Sequence, residues 1–184
     1  QGLQPNSVYQ YRIVTEKNKG AWHSLQTDDG DSFTALIFPD SQSSDYSGWQ
    51  SLVRDAQKRH QAAELFINMG DLVDNGQDVN QWRAWLSSVE PFSAEMAFAP
   101  VIGNHEAYSL EWKMTPPKSY VNLFAVPENG LRQYSRQFYS FDYGPVHFTV
   151  LDTNFPEVKE WQPKLLEEEL VWLEQDLAKS KARW

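Results

Sequence analysis

Gly70-Asp71-Leu72-Val73-Asp74-Asn75-Gly76, directly after the apolar run Leu65 to Met69, is the stretch on which the reading of this chain turns. Two similar junctions flank it. Phe33 to Phe38 runs into Pro39-Asp40-Ser41-Gln42, and Phe98 to Ile102 runs into Gly103-Asn104-His105-Glu106. Each apolar run has the length of a buried strand and ends on polar, turn-forming residues. Ligands of an open α/β sheet bind beyond the carboxyl ends of its strands. Asp40, Asp71, Asn104 and His105 are therefore expected together on one rim. Oxygen and nitrogen donors gathered from several strand ends suit a metal-dependent hydrolase.

Helical patterns fill the intervals. Ser47 to His60 sets Trp49, Leu52, Val53 and Ala56 at helical spacing, with Ser47 as the expected cap. Asp78 is the expected cap of a second helix reaching Val89, with Val79, Trp82, Leu86 and Val89 on one face. Lys164 to Lys179 carries Leu166, Leu170, Leu173 and Leu177 in a stripe, and its acids precede its lysines, which favours the helix dipole. Strands alternating with helices predict an α/β fold. Tyr139 to Gly144 leads into a further strand, Val146 to Leu151, and the Pro-punctuated, aromatic stretch from Ser109 to Asn129 reads as an insertion near the rim.

Composition sets the outer bounds. A chain of 184 residues, 41% hydrophobic and 22% charged, can bury a real core and is ordinary for a soluble globular protein. Its formal charge of −9 argues against a nucleic-acid surface, since phosphate backbones attract basic patches. A phosphate substrate stays possible, because bound cations can supply positive charge within a carboxylate-rich site. With no cysteine, disulfide and thiolate chemistry are excluded. No apolar run approaches the ~18 residues that suggest a membrane span. No signal peptide is recognised, and the start Gln1-Gly2-Leu3, without an initiator Met, reads as a cut or processed end.

The segments GDLVDNG and GNHE, in this order and preceded by PDSQ, resemble the first three sequence blocks of the calcineurin-like metallophosphoesterases. That superfamily includes the purple acid phosphatases and the Ser/Thr phosphoprotein phosphatases. The resemblance covers Phe33 to Trp184 and implies a layered α/β/β/α sandwich. It also implies two metal ions, Mn, Fe or Zn, with Asp40 on one, Asp71 bridging both and Asn104 on the second. Gln42 stands where many relatives have a histidine, and its amide oxygen is the expected substitute. Purple acid phosphatases instead supply a tyrosine at the position held here by Asp74, so no tyrosinate–iron colour is expected.

Further roles follow from the same resemblance. His105 matches the histidine that protonates the leaving alkoxide or helps bind the phosphoryl group, work suited to an imidazole near neutrality. Asp74 either matches the acid that orients this histidine or makes an Asx turn with Asn75-Gly76. Asn75 replaces a phosphate-binding arginine of the Ser/Thr phosphatases and offers a weaker substrate contact. The implied reaction is direct, in-line hydrolysis of a phosphate ester by a hydroxide held between two metals, with no phospho-enzyme.

Two later histidine blocks of the family, a lone His after a strand and a Gly-His-x-His, are not in this sequence. The expectation is therefore a catalytic domain incomplete at its C-terminus, inactive alone, whose partner is the missing part of the same domain. Residues 1–32 read as the last hairpin of a fibronectin-III-like domain plus a linker, on the strength of Leu3-Gln4-Pro5 and the alternating strand Ser7 to Thr15. Residues 33–184 read as the front of the catalytic domain. Family habit and that remnant point to a periplasmic or secreted home.

The remaining polar residues carry plainer expectations. His23 belongs to the hairpin, His60 ends a helix, His147 faces along a strand, Asp152 closes a strand, and Glu106 is a local cap. Two rival functions are weighed. A non-catalytic binding module would use the eight tryptophans as a recognition surface over a vestigial metal site, but most fall at helical core spacing. An Asp-nucleophile phosphotransferase needs a second acid two residues after its nucleophile, where Asp40 has Gln42.

Overall fold

A computed structural model describes residues 2–184. Its centre is a parallel sheet of β3 (Thr34–Phe38), β4 (Ala63–Met69) and β5 (Ala97–Val101), in that order, so all three carboxyl ends share one edge. The crossovers are α1 (Ser47–Arg59) and α2 (Val79–Ser93), which pack against each other. Alternation along the strands divides the core. Leu36, Phe66 and Phe98 meet the helices at Trp49, Val53 and Trp85. Leu65, Ile67 and Ala99 meet Phe141 and Phe148 of the antiparallel pair β6 (Tyr139–Tyr143) and β7 (Val146–Val150). On the far side of that pair lies α5 (Leu165–Lys179), tied to it through Asp176. Of the short helices, α3 (Lys118–Leu123) joins the α1–α2 core through Tyr120, and α4 (Phe155–Val158) packs with α5 through Val158. The layers are helix, sheet, sheet, helix, as the sequence predicts.

Trp85 is fully buried and stacks on Trp49 at 6.3 Å, and burial of a side chain this large stabilises the fold by roughly 2–3 kcal/mol. Trp82 and Trp172 are also buried, whereas Trp22, Trp112 and Trp184 are exposed in three separate parts of the chain. Half of the eight tryptophans thus serve as core, and the exposed ones form no common face along the chain.

N-terminal to the sheet, β1 (Val8–Tyr11) and β2 (His23–Gln26) form an antiparallel pair. Val8 and Tyr11 on it are exposed, and the Tyr11 hydroxyl donates to the Ala94 carbonyl at 2.6 Å. Among the described residues no helix is long and apolar enough to cross a membrane.

Helix ends and faces depart from the predicted ones in detail. Tyr46, not Ser47, occupies the cap position of α1, and Asp45 accepts the Ser47 N–H instead. Asp78 does cap α2, taking the N–H groups of Asn80 and Gln81. The buried face of α2 is Trp82, Trp85, Val89 and Phe92, while Val79 and Leu86 face out. On α5 the predicted stripe is one residue out of register. Leu165, Glu169 and Trp172 are buried, and Leu166, Leu170 and Leu177 are exposed. The reason is polar: Glu169 accepts the buried Asp152 N–H, and Asp176 accepts from Ser140 Oγ and pairs with His147. Hydropathy cannot register a carboxylate whose partners wait inside.

This docking of α5 is expected to respond to pH. Burial pushes Asp152 up to about 6 and Glu169 up to about 7. His147 is raised by hydrogen bonds to Asp142 and then Asp176, at 2.6 and 2.9 Å. All three hold their protons more tightly folded than unfolded. Their stabilisation is complete below the unfolded values, roughly 4 for carboxyls and 6.5 for histidine, and is lost as pH climbs through the folded ones. The urea midpoint should therefore fall between pH 5 and pH 8, and Glu169→Gln should flatten that fall; an unchanged slope in the variant would count against the assignment. Ser140 Oγ donates to Asp176 and not to His147, so this cluster is no nucleophile–base pair.

Candidate active site

The three strand ends converge through their loops. Asp40 and Asp71 both adopt left-handed backbone, with φ of +42° and +49°. This region is uncommon for residues other than glycine, and such strain gathers at functional sites. The Gln42 N–H donates to the Asp71 carbonyl at 2.9 Å. Buried Ser41 accepts from Trp85 Nε1 and Asn68 Nδ2 and donates to the Leu72 carbonyl, fastening the first loop to the second. The second meets the third where Asp71 Oδ1 accepts the His105 N–H at 3.0 Å.

Gly103 makes that approach possible. A Cβ there would lie 2.1 Å from Asp71 Oδ1 and 2.5 Å from its backbone nitrogen. Gly103→Ala should cost about 2–4 kcal/mol and displace the Asp71 carboxylate. Thermal unfolding checks the cost, and an unchanged melting temperature would contradict this packing.

Glu106 holds the arrangement from beneath. It is only 2% exposed. Oε2 accepts the N–H groups of Gly103 and Asp71, and Oε1 those of Leu72 and Val73. Burial pushes its carboxyl up to about 7, and the backbone donors pull the other way. The sequence reading made Glu106 a local cap, whereas most of these donors come from a loop more than thirty positions earlier. The available signal was an acid inside the GNHE block itself. Gly76 packs as closely on the same segment, since a Cβ there would meet the Glu106 carbonyl at 1.9 Å.

His105 is half-buried at the start of a short 3₁₀ turn, His105–Ala107. Its Nδ1 donates to the Asp74 carbonyl at 2.7 Å, with the Asp74 carboxylate 3.5 Å from the same atom. That fixes the tautomer and leaves Nε2 for other work. Asp74 thus touches His105 through both carbonyl and carboxylate. Asn75 turns inward: it is buried, its Nδ2 donates to the Ser109 carbonyl, and its Oδ1 accepts the Gln77 N–H. Both ends of its amide are committed to the protein, so it shapes the loop Ser109–Lys113 and its side chain does not reach outward. Asn104 Nδ2 donates to the Tyr108 hydroxyl at 3.3 Å.

The donors suit a cation in kind. Asp40, Asp71, Asn104 and Gln42 offer carboxylate and amide oxygens. Gln42 Oε1 is buried without any hydrogen-bond partner, beside the loop that carries Asp71. A buried acceptor left alone in this way costs free energy, and a bound ion would supply the missing contact. Among the described residues no three His, Cys, Asp or Glu side chains gather into a cation site, so amide oxygens are needed to complete one.

With this geometry in view, the class of protein is settled by comparison. A model of the Calcineurin-like phosphoesterase family matches residues 23–184, and the chain belongs to that family. Its relatives include purple acid phosphatase 23 of Arabidopsis thaliana, 33% identical over 103 residues, which are 54% of this chain and 20% of that protein. Purple acid phosphatase 15 of the same plant is 23% identical over 214 residues, covering 97% of this chain and 37% of that one. The solved purple acid phosphatase PPD1 from yellow lupin (Lupinus luteus) seeds has the same fold, with a TM-score of 0.73 at 17% identity over 98% of this chain and 35% of its own. The chain spans less than two fifths of the length of these relatives.

Proposed function

We propose that this chain carries part of the active site of a metal-dependent phosphoesterase. Asp40, Asp71, Asn104 and Gln42 are the candidate metal ligands, and His105 is the acid–base group oriented by Asp74. One observation carries the reading: Asp71 and His105 are joined directly, carboxylate to backbone N–H, with the Nδ1 proton of His105 held by Asp74. When bound, two divalent or trivalent cations (Mn, Fe or Zn) supply positive charge for a phosphoryl group and make a water acidic enough to attack phosphorus. The chain's own part is positional. Glu106 keeps Asp71 and His105 in register, and Nε2 of His105 moves a proton at the leaving oxygen.

Four oxygen-bearing side chains do not fill the coordination of two ions. Water or groups from outside these 184 residues complete it, and the chain alone is accordingly read as weakly binding and inactive. Residues 1–32 are read as a hairpin of a fibronectin-III-like unit with its linker, and residues 33–184 as part of the catalytic domain. The exposed β1–β2 pair favours this division; the periplasmic or secreted setting is read from family habit alone. The test is release of nitrophenol from mono- and bis-nitrophenyl phosphate, by this chain and by a longer form containing it, with manganese, iron or zinc. Metal-dependent turnover by either supports the proposal. None by either, with metal bound, overturns it in favour of a vestigial site.

A further inference from the structure

We infer that Trp112 is a specificity-determining residue that stacks on a planar aromatic group carried by the substrate's leaving side. The inference rests on the phosphoesterase reading of the site. Trp112 is 57% exposed, although a large aromatic side chain loses free energy in contact with water. It stands beside the one side chain proposed to work at the leaving oxygen. Its ring lies edge-to-face with His105 at 6.4 Å and is tilted on Tyr108 at 5.8 Å, and Tyr108 in turn lies edge-to-face with His105 at 5.1 Å. The two rings therefore lie side by side against the imidazole, and Trp112 is the one exposed to solvent.

The loop that presents Trp112 is built and does not simply trail. Trp112 has φ of +58°, rare for a bulky residue, and the chain accepts that conformation within a closed turn. The Trp112 N–H donates to the Ser109 carbonyl, and the Ser109 N–H donates to the Lys113 carbonyl. Ser109 Oγ accepts from Glu111 and Lys113 N–H groups. From below, Asn75 Nδ2 holds the Ser109 carbonyl, so the segment that carries Asp71 and Asp74 also sets the height of Trp112. The site's own loop thus positions an exposed indole at its edge. A flat π-face fixed next to a proton-transfer group favours a leaving group that is itself flat, such as an aryl ring or a nucleobase.

The test uses this chain with zinc and three probes: methylphosphonate, phenylphosphonate and 5′-AMP. Affinity is read by calorimetry in parent and variants alike, and contact with the indole by the Trp112 N–H resonance of the parent, assigned by its loss in Trp112→Phe. Phenylphosphonate or 5′-AMP should bind about tenfold tighter than methylphosphonate and shift that resonance. Whichever of the two does so identifies an aryl or a nucleoside group as the stacking partner. Trp112→Ala should remove the tenfold preference and leave methylphosphonate unchanged, and Trp112→Phe should keep most of it. Equal affinity for all three probes, or equal losses in Trp112→Ala, overturns this inference and leaves the phosphoesterase reading standing. The same titrations on a longer form containing this chain decide a negative: no binding of any probe by either form in the presence of zinc overturns both.

Discussion

Glu106→Ala should lower the free energy of unfolding by about 3–5 kcal/mol, a large part of the stability of a domain this size. Four backbone N–H groups, from Asp71, Leu72, Val73 and Gly103, lose their acceptor together. Each buried donor left alone costs about 1–3 kcal/mol, and water entering the gap recovers only part of the sum. Glu106→Gln keeps one good acceptor and turns an NH₂ toward donors, so it should fall about midway. Urea denaturation of the three proteins checks the order. If the alanine variant matched the parent, the carboxylate would not be the fastening between the two loops.

The second large effect concerns chemistry. In a form of the protein that turns over phosphate esters, His105→Ala should reduce kcat by about 10²–10⁴-fold, the usual contribution of a positioned acid–base group. Stability should change by much less, because the imidazole is half-exposed and makes one hydrogen bond, to the Asp74 carbonyl. The backbone N–H that binds Asp71 survives the substitution. Metal affinity should therefore stay near that of the parent. A fall in metal affinity as large as the fall in kcat would make His105 a ligand and not an acid–base group.

The strand ends were legible because each depends on local signals. An apolar run of strand length followed by a glycine or proline and then an Asp or Asn fixes the position of Asp40, Asp71 and Asn104 without reference to the rest of the chain. Asp78 was legible as a cap for the same reason. What escaped is non-local. Glu106 looks like any acid after a histidine until the Asp71–Val73 backbone is laid across it. Asn75 was expected to face substrate, and only the Ser109 carbonyl draws it inward. The face of α5 was missed by one position because Glu169 and Asp176 are polar residues with buried partners. In each case a hydrogen bond across more than fifteen residues outweighs the local pattern.

The central claim is that the Asp71 carboxylate belongs to a metal site, and calorimetry with manganese and zinc tests it most directly. The measurement compares this chain, a longer form containing it, and Asp71→Asn in each. Asparagine retains an oxygen that can accept the His105 N–H, so the fold should persist while the charge is lost. The account predicts metal binding in the parent, tighter in the longer form, and weaker by about 100-fold or more in Asp71→Asn. Identical isotherms for parent and variant, or no binding by either length of chain, would contradict it.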